Sequence, residues 1–224
     1  MRAATVIFRR SLNSTSKPPC VVLITGGGTG IGRAVALRLA EGGWQQNRSS
    51  PIALVLTGRR PEPLQDTVEA VRASHGDAVI ACGHTADLTQ PDDVTGLFSM
   101  IKSEFGRLDV LFNNAGAGMP PTHFADTSLE DWDRVVGINL NAAFHVARDA
   151  YRLMRDQTPQ GGRIINNGSI SAEVPRPGAV AYTASKHAIT GLTKQIALDG
   201  RIHNVACGQV DYGNVVSAIS AGSA

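Results

Sequence analysis

The sequence predicts an α/β fold, a parallel β-sheet covered by helices on both faces. Three observations carry this expectation. Six short apolar runs alternate with segments whose apolar residues recur at helical spacing. The most apolar runs are continuous rather than alternating, the pattern of strands buried on both faces. The first run ends in a glycine cluster that leads straight into a helical pattern, a strand–turn–helix unit.

The elements follow in order. Val21 to Ile24 is the first strand, and Thr25-Gly26-Gly27-Gly28-Thr29-Gly30-Ile31-Gly32 is a tight turn opening a helix marked by Ile31, Ala34, Val35 and Leu39. Gly42-Gly43 ends that helix, and Trp44 to Pro51 is a long polar loop. Ile52 to Thr57 is a second strand, closed by Gly58-Arg59-Arg60-Pro61, and Leu64, Val68 and Val71 mark a helix that Gly76 stops. Ala78 to Cys82 is a third strand, followed by Asp87-Leu88 and a helix that Pro91 opens and Gly106 ends. Leu108 to Phe112 is a fourth, running into Asn113-Asn114-Ala115-Gly116. Ser128 with Asp131 reads as a cap on a helix that continues through Asn139 to about Met154. Arg163 to Asn167 is a fifth strand, Gly168 to Gly178 a loop, Ala181 to Leu198 a long helix, and Asn204 to Cys207 a sixth strand. The remainder, Gly208 to Ala224, is weakly patterned.

Composition narrows the function. The chain has 224 residues, which suits a single large domain, and 42% apolar residues suit a globular core. A net charge of +2, with no basic stripe carrying interleaved aromatics, excludes a nucleic-acid footprint. No apolar run is long enough for a membrane span. Cys20, Cys82 and Cys207 have no metal-ligand spacing, and a sparse, odd set fits a reducing compartment. Residues 1–19 stand apart as a basic extension carrying Arg2, Arg9, Arg10 and Lys17 without an acid; residues 20–224 form the domain. The extension is compatible with a disordered arm, which leaves a cytoplasmic expectation, or with a transit peptide to the mitochondrial matrix.

Two clusters carry chemistry. A glycine turn behind a strand lets the backbone approach a phosphate, and the following helix presents free N–H groups and a partial positive charge to it. Tyr182 and Lys186 lie at i and i+4, on one helix face. An ammonium beside a phenol stabilises the phenolate, so such a tyrosine can exchange a proton with a substrate oxygen. Ser169, just after the fifth strand, offers a hydroxyl to the same oxygen.

In combination these residues resemble the classical branch of the short-chain dehydrogenase/reductase family, over about Val21 to Gly213. The spacing Gly26-x-x-x-Gly30-x-Gly32 is similar to the family's cofactor turn, and Asn113-Asn114-Ala115-Gly116 to its strand-four motif. Asp87-Leu88 matches its adenine-contacting pair, Asn139 its helix asparagine, and Ser169 precedes Tyr182 by the family's thirteen residues. The resemblance implies a Rossmann-like doubly wound sheet of strand order 3-2-1-4-5-6. It implies an oxidoreductase interconverting a carbonyl and an alcohol, with Asn139, Ser169, Tyr182 and Lys186 catalytic. Tyr182 is then the acid/base, Lys186 its electrostatic partner and a ribose contact, Ser169 the carbonyl-orienting group, and Asn139 the holder of a relay water. Thr25, Gly26, Gly28, Thr29, Gly30, Ile31, Gly32, Asp87, Leu88, Asn114, Ala115 and Gly116 are implied as cofactor-binding residues, and a homodimer or homotetramer as the assembly.

The residues after strand two refine the cofactor. An acid there would hold a ribose 2′-hydroxyl and repel a 2′-phosphate, whereas arginine attracts the phosphate. Arg59 and Arg60 stand there, with no acid before Glu62. NADP (NADPH) is therefore expected, with Arg59 the main contact. The C-terminal end departs from the family: Gly208-Gln209-Val210-Asp211 replaces its Pro-Gly, Ser217 is only a loose match for its threonine, and a seventh strand and substrate lid are expected to be missing. The alternative expectation is a truncated member that binds nucleotide or a partner with little turnover.

Overall fold

The computed structural model describes residues 18–42, 51–75 and 79–215. The basic extension up to residue 17, most of the Trp44–Pro51 loop, Gly76 and Ser217 lie outside the described residues. Along the chain β1 (Cys20–Thr25) is followed by α1 (Gly30–Ala40), β2 (Ile52–Gly58), α2 (Pro61–His75), β3 (Val79–Thr85) and α3 (Pro91–Phe105). The second half contains β4 (Val110–Asn113), α4 (Leu129–Val136), α5 (Ala142–Asp156), β5 (Gly162–Asn167), α6 (Val180–Asp199) and β6 (Val205–Val210). The strands form one parallel sheet in the order β3-β2-β1-β4-β5-β6.

The continuous apolar runs have a direct physical cause. Alternate residues of a strand face opposite sides of the sheet, and here both sides are covered. Val21, Leu23, Ala53 and Val55 join a core with α3 and α5 residues such as Leu97, Ile101 and Val146. Val22, Ile24, Leu54 and Leu56 join a second core with Ala36 of α1 and Leu64 and Val68 of α2. Neither face of β1 or β2 can tolerate a polar residue until the strand ends. The chain leaves β1 toward β2 on one side and later returns to place β4 on the other, so the strand order reverses at β1. A crevice opens at the carboxyl ends of the strands at that point.

The helix boundaries follow their local chemistry. Pro91 occupies the first turn of α3 with Asp92 and Asp93, and Gly106 ends it at φ 72°. Ser128 caps α4, its hydroxyl accepting from the Asp131 N–H at 3.1 Å. The structure corrects three boundaries. β3 runs on through Gly83-His84-Thr85, and β6 through Gly208-Gln209-Val210, polar continuations held by ladder pairing to β2 and β5. The helix expected from Ser128 to Met154 is interrupted by a π turn over Gly137–Asn141 that separates α4 from α5. Among the described residues β6 is one edge of the sheet and β3 the other.

Candidate active site

The glycine turn leaves β1 at the crevice. Gly26 has φ 65° and Gly30 φ 53°, left-handed conformations that glycine adopts without strain. A Cβ at Gly32 would overlap the Gly26 carbonyl oxygen and stand 2.8 Å from Asn114 Nδ2. The turn is thus packed against the β4 loop with no room for a side chain. α1 begins at Thr29 with no side-chain cap and no acid in its first turn, which leaves its leading N–H groups available to an anion.

Four chain segments converge on one groove beside this turn. Gly26, Gly28 and Thr29 come from the turn, Arg59 and Arg60 from the end of β2, Asp87 and Leu88 from the end of β3, and Ala115 and Gly116 from the end of β4. The two arginines are exposed and have no ion-pair partner among the described residues. Among the described residues Asp87 is the one acid in the lining. Its Oδ1 accepts from the Thr89 N–H at 3.1 Å and hydroxyl at 2.8 Å, which closes the turn after β3. The groove is therefore electropositive at its β2 end.

Thr25, Gly32 and Asn114 act behind this wall. Thr25 is fully buried; its hydroxyl accepts from the N–H groups of Asn114 and Ala115, each at 2.8 Å, and its carbonyl accepts from Asn114 Nδ2 at 2.9 Å. Gly30, Ile31 and Gly32 form the first turn of α1, where Ile31 packs on the core. Asn113 lies deeper and braces β4 by donating to the Ala143 carbonyl and to Asn166 Oδ1, at 2.8 and 3.2 Å.

The second cluster stands on β5, α6 and the π turn. Lys186 is buried, donates to the Asn167 carbonyl at 2.7 Å, and lies 5.6 Å from the centre of the Tyr182 ring. Burial pushes the Lys186 ammonium down to about 8, and the Asp211 carboxylate opposes the fall. Ser169 is buried at the head of the turn Ile170–Ala172, on which α6 packs. Its Oγ accepts the Ser171 N–H at 3.1 Å, so its hydroxyl proton remains available to an outside acceptor. Asn139 is buried in the π turn. Its amide takes both polar atoms of Ala117, accepting from N–H at 2.7 Å and donating to the carbonyl at 3.0 Å, and it also reaches Ser185 Oγ at 3.3 Å.

Sequence reasoning missed two residues that touch this cluster. Asn167 donates its side-chain amide to Asn114 Oδ1 at 2.7 Å, joining the glycine-turn wall to the carbonyl that holds Lys186. Asp211 accepts the Ser169 N–H at 2.8 Å. The only signal for either was a polar residue at the carboxyl end of an apolar strand.

The family model for short chain dehydrogenases matches residues 20–223. The chain is 35% identical over 190 residues to a 3β-hydroxysteroid dehydrogenase from Mediterraneibacter gnavus, an alignment spanning 85% of this chain and 64% of that protein. Among solved structures, a short chain dehydrogenase/reductase from Burkholderia phymatum in complex with NAD superposes with a TM-score of 0.81 at 29% identity, covering 92% of this chain and 69% of that one. A protein from Beutenbergia cavernae, described as an NAD(P)-dependent gluconate 5-dehydrogenase and bearing NADP at low occupancy, gives 0.79 at 29% identity, covering 92% and 76%. The chain belongs to the short-chain dehydrogenase/reductase family. No helix among the described residues is long and apolar enough to cross a membrane.

Proposed function

We propose that this chain is an NADP(H)-dependent oxidoreductase that interconverts a carbonyl and an alcohol, with Tyr182 as acid/base. The observation that carries the reading is that two clusters lie at the carboxyl ends of the strands: an uncapped helix start beside two arginines without an ion-pair partner among the described residues, and the Tyr182–Lys186–Ser169 group. The cradle fits a dinucleotide. The α1 N–H groups and the glycine turn would hold its diphosphate, Asp87 and Leu88 its adenine end, and Arg59 and Arg60 a 2′-phosphate.

When bound, the nicotinamide supplies or accepts a hydride. In the reducing direction Tyr182 gives its phenolic proton to the substrate oxygen, and Ser169 donates a hydrogen bond to the same atom. Lys186 stabilises the phenolate that remains; one of its three N–H donors is spent on Asn167, and the other two are available to ribose hydroxyls. Hydrolysis is not required at any step, and the residues act through placement and charge. A homodimer or homotetramer through the helices carrying Asn139 and Tyr182 completes the proposal, and exposed Phe144 on α5 and Leu198 on α6 support it.

The test is NADPH oxidation followed at 25 °C with a panel of cyclic ketones, β-oxo esters and aryl ketones, beside a fluorescence titration of NADPH. Turnover that falls by about a hundredfold or more in Tyr182→Phe, with NADPH affinity retained, supports the reading. NADPH binding with no turnover above Tyr182→Phe on any carbonyl would sink it in favour of a nucleotide-binding member with little activity.

A further inference from the structure

The stretch that departs from the family pattern, Gly208 to Asp211, is built against the reacting centre. Three successive N–H groups leave β5 there. Gly168 N–H donates to the Val210 carbonyl at 2.9 Å and Ile170 N–H to the Tyr212 carbonyl at 3.2 Å. Between them, Ser169 N–H donates to the Asp211 side chain at 2.8 Å. The same Asp211 oxygen accepts the Gln209 amide at 2.6 Å. Gln209 is itself tied to α6, donating to Thr190 Oγ1 at 3.0 Å and accepting from Thr193 Oγ1 at 3.3 Å. A Cβ at Gly168 would overlap Asp211 Oδ1 and stand 2.6 Å from Gln209 Nε2, so glycine there is what admits the pair.

We propose that Asp211, braced by Gln209, is a positioning residue that fixes the main chain of Ser169 and so presents its hydroxyl to the substrate carbonyl. The proposal rests on the oxidoreductase reading above. Ser169 is held at two points, its N–H by Asp211 and its Oγ by the Ser171 N–H. With its main chain and its Oγ both held, Ser169 has fewer directions for its hydroxyl proton, and that direction sets how well it polarises a carbonyl. The bracing reaches α6, so Ser169 and the Tyr182–Lys186 pair share one frame.

The experiment pairs kinetics with amide exchange on the full chain. Asp211→Ala should lower kcat by about tenfold while NADPH affinity stays within about twofold. Asp211→Asn keeps an acceptor oxygen and should recover most of the loss. In a Ser169→Ala background Asp211→Ala should cost almost nothing further, because a residue acting through Ser169 has nothing left to position. Hydrogen exchange at the Ser169 amide should accelerate in Asp211→Ala and not in Asp211→Asn. Gln209→Leu, which leaves Asp211 in place, gives a milder loss in the same direction should Asp211→Ala fail to fold. An unchanged Ser169 amide, or an equal loss with and without the Ser169 hydroxyl, overturns the proposal. A wild-type chain without turnover on any ketone overturns the oxidoreductase reading and this proposal with it, whereas an active chain with either result above overturns this proposal alone.

Discussion

Lys186 Nζ donates to the main-chain carbonyl of Asn167 at 2.7 Å, and the side chain of Asn167 donates to Asn114 at 2.7 Å. One residue thus links the ammonium beside Tyr182 to the loop that walls the nucleotide groove. Asn167→Leu keeps the carbonyl and removes the second bond, leaving Asn114 Oδ1 unpaired beside a buried wall. We expect a stability loss of about 1–3 kcal/mol in urea unfolding and weaker NADPH binding. An unchanged urea midpoint would show that the link carries no energy.

The buried ammonium makes stability depend on pH in a defined direction. Lys186 titrates at about 8 in the folded chain against an ordinary 10.5. Below pH 8 both folded and unfolded chains carry the proton, and the full cost of burying the charge is present. Between about 8 and 10.5 the unfolded chain binds more protons, so stability rises with pH. Relative to Lys186→Met, the wild-type chain should therefore gain roughly 3 kcal/mol across that window, at 1.36 kcal/mol per pKa unit. Denaturant titrations of both proteins at pH 7.5 and 10.5 measure it, and a flat difference would contradict the burial.

Among the described residues Arg59 and Arg60 are the only basic ones in the groove lining. Replacing Arg59 with Asp removes a charge-assisted bond and adds repulsion toward a 2′-phosphate. NADPH affinity should fall by about 10- to 100-fold, while NADH, which lacks that phosphate, should bind as well or better. Equal losses for both nucleotides in a fluorescence titration would show that Arg59 does not read the 2′ position.

Gly32→Ala places a methyl where the Gly26 carbonyl stands, and the neighbour is backbone that cannot yield cheaply. A destabilisation of about 1–3 kcal/mol or more is expected, together with loss of NADPH binding. Gly96→Ala, in α3 where an added Cβ meets nothing, should instead be neutral or mildly stabilising by about 0.5–1 kcal/mol. Thermal melts of the two variants side by side test the contrast.

The two-sided parallel sheet was legible in the sequence because burial on both faces writes itself as unbroken apolar runs, whereas the strand order and the groove residues were expected only from the resemblance to the family. β1 and β2 show this best: every residue of Cys20–Thr25 is buried, and so is every residue of β2 except its final glycine. The ends of β3 and β6 were not legible. His84 and Gln209 are polar and are held in strand by ladder bonds, to which Gln209 adds partners on α6 that no local pattern records. The π turn was hidden because one extra residue barely disturbs an apolar periodicity. Tyr182, Lys186 and Ser169 could be found because they recur at a fixed spacing. Asp211 could not, because its role is defined by an amide 42 residues away.

The interrupted helix has a consequence of its own. A π turn holds an additional residue over the α turn it replaces. Deleting one residue from Gly137–Asn141 would let α4 and α5 fuse into a single regular helix. It would also swing every preceding side chain by about 100° relative to α5, withdrawing Asn139 from the Ala117 peptide that it clasps on both sides. The irregularity is thus what places Asn139 against the loop that borders the reacting centre, and a shortened variant would lose that contact although its helix becomes regular.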